Sequence, residues 1–200
     1  MAQEQVPHLV LILGGARSGK SSFAEQLAST SGKRVAFIAT ATAGDADMGD
    51  RIARHRASRP HEWTTIEEPL DLITAVKEAS NIADVLLLDC MTLWLSNWMR
   101  HHGSMNEEDD VKLKNTYTDD ALAAIEALLT TIKTLERGKT LIIVTNEVGL
   151  GIVPMHSLSR AYRDVLGWIN QRIARDADRV YLMVAGLAVD IKQLSVSASL

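Results

Sequence analysis

Residues 12–22 read ILGGARSGKSS, and Gly14-Gly15-Ala16-Arg17-Ser18-Gly19-Lys20-Ser21 within them fits G-x-x-x-x-G-K-[ST]. This motif constrains the fold before composition is consulted, because it works only between a buried strand and a helix. Both flanks are present. The apolar run HLVLIL (8–13) precedes the loop, and SSFAEQLAST (21–30) follows with helical spacing, closed by Gly32. Glycine lets the backbone curl so that several N–H groups converge on phosphate oxygens, and the helix adds its positive end. In such a loop Lys20 reaches the β- and γ-phosphates and Ser21 ligates Mg²⁺. A bound nucleoside triphosphate is expected.

The same alternation continues along the chain. RVAFIAT (34–40), EWTTIEE (62–68), DVLLLDC (84–90), KTLIIVTNE (139–147) and DRVYLMVAG (178–186) read as strands, and LAVDIK as a terminal hairpin strand. Between them, AGDADMGD (43–50) reads as an acidic turn and RIARHRAS as a short helix ending near Pro60. Pro69 would open a helix running to about Ser80, LWLSNWM continues helically, and GSMNEEDD (103–110) reads as the most exposed loop. Residues 111–136 place Leu113, Tyr117, Leu122, Ile125, Leu128, Leu129 and Ile132 at helical spacing, and 157–176 form a further helix. Nearly all-apolar strands alternating with helices imply an α/β fold, with a mostly parallel central sheet covered by helices on both faces. Ligands of such sheets gather at the carboxyl ends of the strands.

No repeat or linker divides the chain, so residues 1–200 are expected to form a single nucleotide-binding domain, with 1–7 and 193–200 as tails. A net charge of −4 argues against a nucleic-acid partner held by bulk electrostatics. The one cysteine, Cys90, reads as a small buried hydrophobe rather than a reactive thiol, and forbids an intrachain disulfide. There is no signal-peptide pattern and no transmembrane segment, so a cytoplasmic setting is expected.

Two further features carry chemistry. Asp89 ends the most apolar strand, where a carboxylate for the metal or its water shell belongs, with helix capping as the alternative. In DRIARHRASRP, Arg51, His55 and Arg59 are spaced i, i+4, i+8 and would share one helical face. Asp47 and Asp50 near the start of that helix would suit its dipole. Guanidinium groups flanking an imidazole disfavour its protonated form. That arrangement favours a neutral nitrogen nucleophile beside cations able to clamp a phosphoryl group. Spacing alone leaves open a solvated basic helix with an incidental histidine. The other five histidines sit in no cluster with acidic or cysteine partners, so a structural zinc is not expected.

GGARSGKS, FIATA, RIARHRASRPHEWTTIEEP, LLLDCMTLWLSN, VTNEVGLGIVP and RAYRDVLGWINQRIA, with VAG near the end, together resemble one family. It is the bifunctional adenosylcobinamide kinase/adenosylcobinamide-phosphate guanylyltransferase family of cobalamin biosynthesis, and the resemblance runs from about residue 9 to residue 192. It implies a P-loop NTPase of RecA-like type and two reactions. In one, a nucleoside triphosphate such as ATP or GTP phosphorylates adenosylcobinamide. In the other, GTP donates GMP to adenosylcobinamide phosphate, giving adenosylcobinamide-GDP and pyrophosphate. The resemblance places the family's guanylylated histidine on His55. Where some relatives carry a histidine pair, this chain has Arg54 first, so His55 alone can serve.

Thr40, Ala41 and Thr42, just after the second strand, would meet the nucleotide at the sheet's ligand edge, and Arg56, Ala57, Ser58 and Arg59 would line the site beside His55. Glu67 would accept from guanine N1–H and N2–H₂, with a surface acid as the alternative. Glu147 would assist deprotonation of the substrate hydroxyl or act as a cap, and Arg160, Arg163 and Asp164 stay unassigned. A homo-oligomer, specifically a trimer, is implied. A single-activity small-molecule kinase and a P-loop switch are the competing readings.

Overall fold

The computed structural model describes residues 8–43, 46–57, 59–102 and 111–196, with the side chains of all of these except 46–48, 51 and 111–117. In chain order, β1 (Leu9–Gly14) leads through the phosphate loop into α1 (Lys20–Thr30), followed by β2 (Val35–Ala39) and α2 (Ala46–Ala57). Next come β3 (Thr64–Glu67), α3 (Leu72–Ile82), β4 (Val85–Asp89), α4 (Met91–His102) and α5 (Val111–Lys133). The chain ends with β5 (Thr140–Val144), α6 (Ser157–Asp176), β6 (Arg179–Val184), β7 (Leu187–Asp190) and α7 (Ile191–Leu194).

The seven strands form one sheet in the order β3-β2-β4-β5-β1-β6-β7. Every pairing is parallel except β6 with β7, the hairpin expected from LAVDIK. All six residues of β1 are buried, and their alternation supplies both faces of the sheet. Leu9, Leu11 and Leu13 join a core with residues of α3, α4, α5 and α6, while Val10 and Ile12 pack with Ala24 and Ala28 of α1. Of the apolar stripe expected on α5, Ile125, Leu128, Leu129 and Ile132 are buried and Leu122 is partly so. Leu113 and Tyr117 lie outside the described side chains. A fully buried leucine contributes roughly 1.5–3 kcal/mol through burial alone, so the core fixes the sheet edge from which the site projects.

Four expectations shift. The stretch read as an acidic turn is helical from Ala46, so α2 begins five residues before Arg51. At its other end α2 stops at Ala57, which leaves Arg59 off the helix and breaks the expected i, i+4, i+8 stripe. The third helix starts at Leu72 rather than Pro69, because Asp71 caps it by accepting from the Thr74 amide at 3.0 Å. That cap holds the Asp71 carboxyl below its ordinary range. α7 occupies residues 191–194, across the start of the expected C-terminal tail. The expected tail residues 1–7 and 197–200, and the loop 103–110, lie outside the described residues. No described helix is long and apolar enough to cross a membrane.

Candidate active site

The parallel register brings the expected site residues to one edge. Ala39 pairs with Glu67 on one side and with Asp89 on the other, Asp89 pairs with Val144, and Val144 with Ile12. Carboxyl ends of β3, β2, β4, β5 and β1 therefore align in one row, as open parallel sheets require for ligand binding.

The phosphate loop is held from two directions. A side chain at Gly14 would place its Cβ 2.5 Å from the Met183 carbonyl oxygen, so only glycine fits between β1 and β6. Gly19 sits at φ 97° as the residue before α1, a conformation that side chains rarely adopt. The Gly186 amide, in the β6–β7 turn, donates to Ser18 O at 3.0 Å, and the Glu147 amide donates to Gly14 O at 3.0 Å. Inside the loop, Lys20 Nζ donates to Gly15 O at 2.6 Å, which curls the backbone around the lysine head. Arg17 adopts φ 57° at the tip. Ala16 and Arg17 are the two central residues of the short turn in which the Ser18 amide donates to Gly15 O at 3.3 Å.

Beside this loop opens a cavity of about 540 Å³. Ser21, Ala41, Thr42, His55, Arg56, Arg59, Glu67 and Asp89 all line it. His55 is exposed on the last turn of α2. Arg56 forms an ion pair with Glu67 at 3.2 Å, the two side chains largely exposed. Arg59 lies over the Phe37 ring, its guanidinium carbon 3.4 Å from the centroid, and its Nε is buried without a hydrogen-bond partner. Burial lowers the Arg59 pKa, while Asp89 and Glu25 oppose that shift. Ala57 is exposed and is not among the lining residues, and Ser58 lies outside the described residues.

Thr40 does a different job from the one expected of it. It is fully buried, its hydroxyl donating to Cys90 O and accepting from the Cys90 amide, both at 2.8 Å. This braces the ends of β2 and β4 against each other, and Ala41 and Thr42 reach the cavity instead. Asn97 of α4 extends the brace by donating to Thr40 O at 2.7 Å, and Arg100 donates to Asn97 Oδ1 at 2.6 Å. Cys90 is half-buried and lines the cavity rather than sitting wholly in the core as read from the sequence, and its thiol is pushed up to about 12, by burial first and by Asp89 second.

Glu25 completes the charge constellation. It lies one helical turn beyond Ser21, and its pKa is raised by burial and then by Asp89, with His55 and Arg59 acting in the opposite direction. Its i, i+4 spacing from Ser21 was a readable signal. Asn97 and Phe37 gave none, since each acts through a partner distant in sequence, Thr40 and Arg59 respectively. Glu147 accepts from the Gly149 amide at 2.6 Å within the loop after β5, where no helix begins. Arg160 donates to Pro154 O at 3.1 Å and holds the loop ahead of α6, and Arg163 pairs with its neighbour Asp164 at 2.9 Å.

Known proteins share both the fold and the sequence. A prototypical ATPase from the type III secretion system of pathogenic bacteria superposes with a TM-score of 0.56 at 12% identity, over 95% of this chain and 59% of that one. The ATP synthase subunit NeqB from Nanoarcheaum equitans does so with a TM-score of 0.50 at 11% identity, over 95% and 54%. These likenesses concern the fold, a P-loop NTPase-like mostly parallel sheet with flanking helices. Curated relatives match nearly end to end. The bifunctional adenosylcobalamin biosynthesis protein CobP of Pseudomonas aeruginosa is 47% identical over 91% of this chain and 96% of its own length. The CobU proteins of Escherichia coli K12 and Salmonella typhimurium LT2 are each 37% identical, over 92% of this chain and 99% of theirs. A model of the family described as cobinamide kinase / cobinamide phosphate guanyltransferase matches residues 10–191, and the chain belongs to that family.

Proposed function

We propose that one cavity serves both activities of this bifunctional kinase and guanylyltransferase, with the phosphate loop working in two registers and His55 as the covalent nucleophile. The observation that carries this reading is the convergence of Ser21, His55, Arg59, Glu67 and Asp89 on a single cavity beside the phosphate loop. Its volume of about 540 Å³ falls within the ordinary range for small-ligand sites.

In guanylyl transfer the His55 lone pair attacks the α-phosphorus of GTP. A P–N bond forms, the P–O bond to the β-phosphate breaks, and pyrophosphate remains with Lys20 and the loop amides of Gly15 to Ser21. A phosphate oxygen of adenosylcobinamide phosphate then displaces the imidazole. The product is adenosylcobinamide-GDP, and the histidine is free again. Two displacements keep two polyanions from meeting in one step. Arg59 suits the α-phosphate, because its buried Nε–H still lacks an acceptor. Glu67 would read the guanine edge, with Arg56 holding its carboxylate in place.

In the kinase reaction the adenosylcobinamide hydroxyl attacks the γ-phosphorus, loses its proton, and the nucleoside diphosphate departs. Here positioning and charge neutralisation are the protein's main contribution, and the same loop supplies them to ATP or GTP. Ser21 and Asp89 both line the cavity and offer hard oxygen donors. Two such donors suit Mg²⁺, which takes most of its ligands from water and phosphate. A bound Mg²⁺ would neutralise phosphate charge. Among the described residues no cluster of three or more metal-ligating side chains forms.

The fold is taken as RecA-like, the protein as cytoplasmic and homo-oligomeric, a trimer by its family. Exposed apolar side chains such as Leu150, Ile152, Met155, Leu187 and Val196 support association. Incubation with α-labelled GTP tests the nucleophile. Wild type should carry acid-labile, base-stable label and His55→Ala none. An unlabelled wild type under turnover conditions would favour a single-activity kinase.

A further inference from the structure

The C-terminal half of α2, which carries His55, is poorly anchored by burial. Among its described side chains Ile52 is half-buried, and Ala53, Arg54, His55, Arg56 and Ala57 are all exposed. Helices in proteins are held mainly by packing of an apolar face, and the described side chains from Ile52 to Ala57 offer little of one. Side-chain contacts from Arg56 and from Arg59, just past the helix, join the C-terminal end of α2 to the sheet. One is the exposed Arg56–Glu67 ion pair at 3.2 Å, a kind of contact that contributes little in water. The other is Arg59 over Phe37 at 3.4 Å, where the guanidinium is half-buried and the attraction to the ring face is correspondingly stronger.

Phe37 occupies an unusual place for a core residue. It is buried among Val10, Ile12, Val35 and Leu87, yet it also lines the nucleotide cavity beneath Arg59. Stacking engages the flat face of the guanidinium and leaves its in-plane N–H groups to oxygen acceptors. Arg59 Nε is buried and donates to nothing, so the ring face, rather than a hydrogen bond at that atom, fixes the side chain. Arg59 is four residues from His55, and wherever the ring holds the arginine it also limits where the histidine can lie.

We propose that Phe37 is a positioning residue for guanylyl transfer: through Arg59, its ring face seats the His55 segment over the cavity. This rests on the roles of His55 and Arg59 given above. The kinase reaction does not use His55, so it does not depend on the ring.

The two half-reactions separate this role from plain core packing. Phe37→Leu keeps an apolar filler but removes the aromatic face, Phe37→Tyr keeps the face, and Arg59→Lys keeps the charge without the planar group. For each, the rate of guanylyl-enzyme formation from GTP is measured without acceptor. Kinase kcat/KM is measured with adenosylcobinamide and ATP. Phe37→Leu and Arg59→Lys should slow guanylyl-enzyme formation about fivefold or more, with the kinase activity of Phe37→Leu within about twofold of wild type and Phe37→Tyr near wild type in both. The proposal is overturned if Phe37→Leu forms guanylyl-enzyme at the wild-type rate, or if it slows both reactions alike. Arg59→Ala separates the underlying reading: a wild-type rate there overturns the role of Arg59 itself, and with it the role of Phe37.

Discussion

The phosphate loop and α2 face the same cavity but are built in opposite ways. The loop leaves a strand buried along its whole length and is clasped by Glu147 on one side and Gly186 on the other. Its first glycine is pressed against β6 so closely that a single methyl group has no room. α2, by contrast, exposes its last turn, and this segment meets the sheet through Arg56 of the helix, at Glu67, and through Arg59 just beyond it, at Phe37. In the proposed mechanism the groups that both reactions need are set in the sheet edge, and the group that only guanylyl transfer needs sits on the exposed end of α2. Such a division would let His55 engage one reaction without obstructing the other.

Variants in the loop should therefore damage both reactions, and this is where the largest effects are expected. Gly14→Ala forces the backbone away from Met183 and should abolish nucleotide binding, measured by titration with a fluorescent GTP analogue. Lys20→Ala leaves the backbone in place but removes the cation, and should lower both kcat values by about a hundredfold or more. A loss confined to one reaction would break the idea of a shared loop. On the α2 side, Glu67→Gln should narrow the preference for GTP over other nucleoside triphosphates by roughly tenfold, since a paired hydrogen bond to the base edge is lost. Competition between GTP and ATP for guanylyl-enzyme formation measures it, and an unchanged preference would reduce Glu67 to the surface partner of Arg56.

The smallest effect should fall on stability alone. Asp71 caps α3 away from the cavity, and Asp71→Ala should cost about 1 kcal/mol in urea unfolding near neutral pH, without altering either activity. Because the folded pKa of Asp71 is depressed, its contribution is present above the unfolded value of 3.8 and is lost as pH falls through the lower folded value. The gap between wild type and Asp71→Ala should close as the pH drops below about 4.

The sequence displayed one half of this contrast far better than the other. Burial writes itself into apolar runs, so β1, β4, β5 and α6 were legible, and α6 was read to its end residues. The phosphate loop was legible because its conformation demands glycine at fixed spacing. α2 hid its start, since Asp45, Asp47, Gly49 and Asp50 read as a turn. Arg59 was placed on the wrong structure for a related reason. Helical spacing pointed it along α2, whereas its binding partner is Phe37, on a strand 22 residues earlier in the chain. Thr40 was expected at the nucleotide and instead closes the β2–β4 brace, a role that depends on Cys90, 50 residues away. Periodicity reports which face is buried, and contacts of this kind lie beyond it.

The division between loop and helix is tested most directly by measuring both reactions on His55→Ala alone. Kinase turnover with adenosylcobinamide and ATP is compared with guanylyl transfer from GTP to adenosylcobinamide phosphate. Phosphorylation should stay within about threefold of wild type, the scatter expected for a surface substitution. Guanylyl transfer and the labelled enzyme should both vanish. Equal loss of the two reactions, or guanylyl transfer that survives without His55, would contradict it.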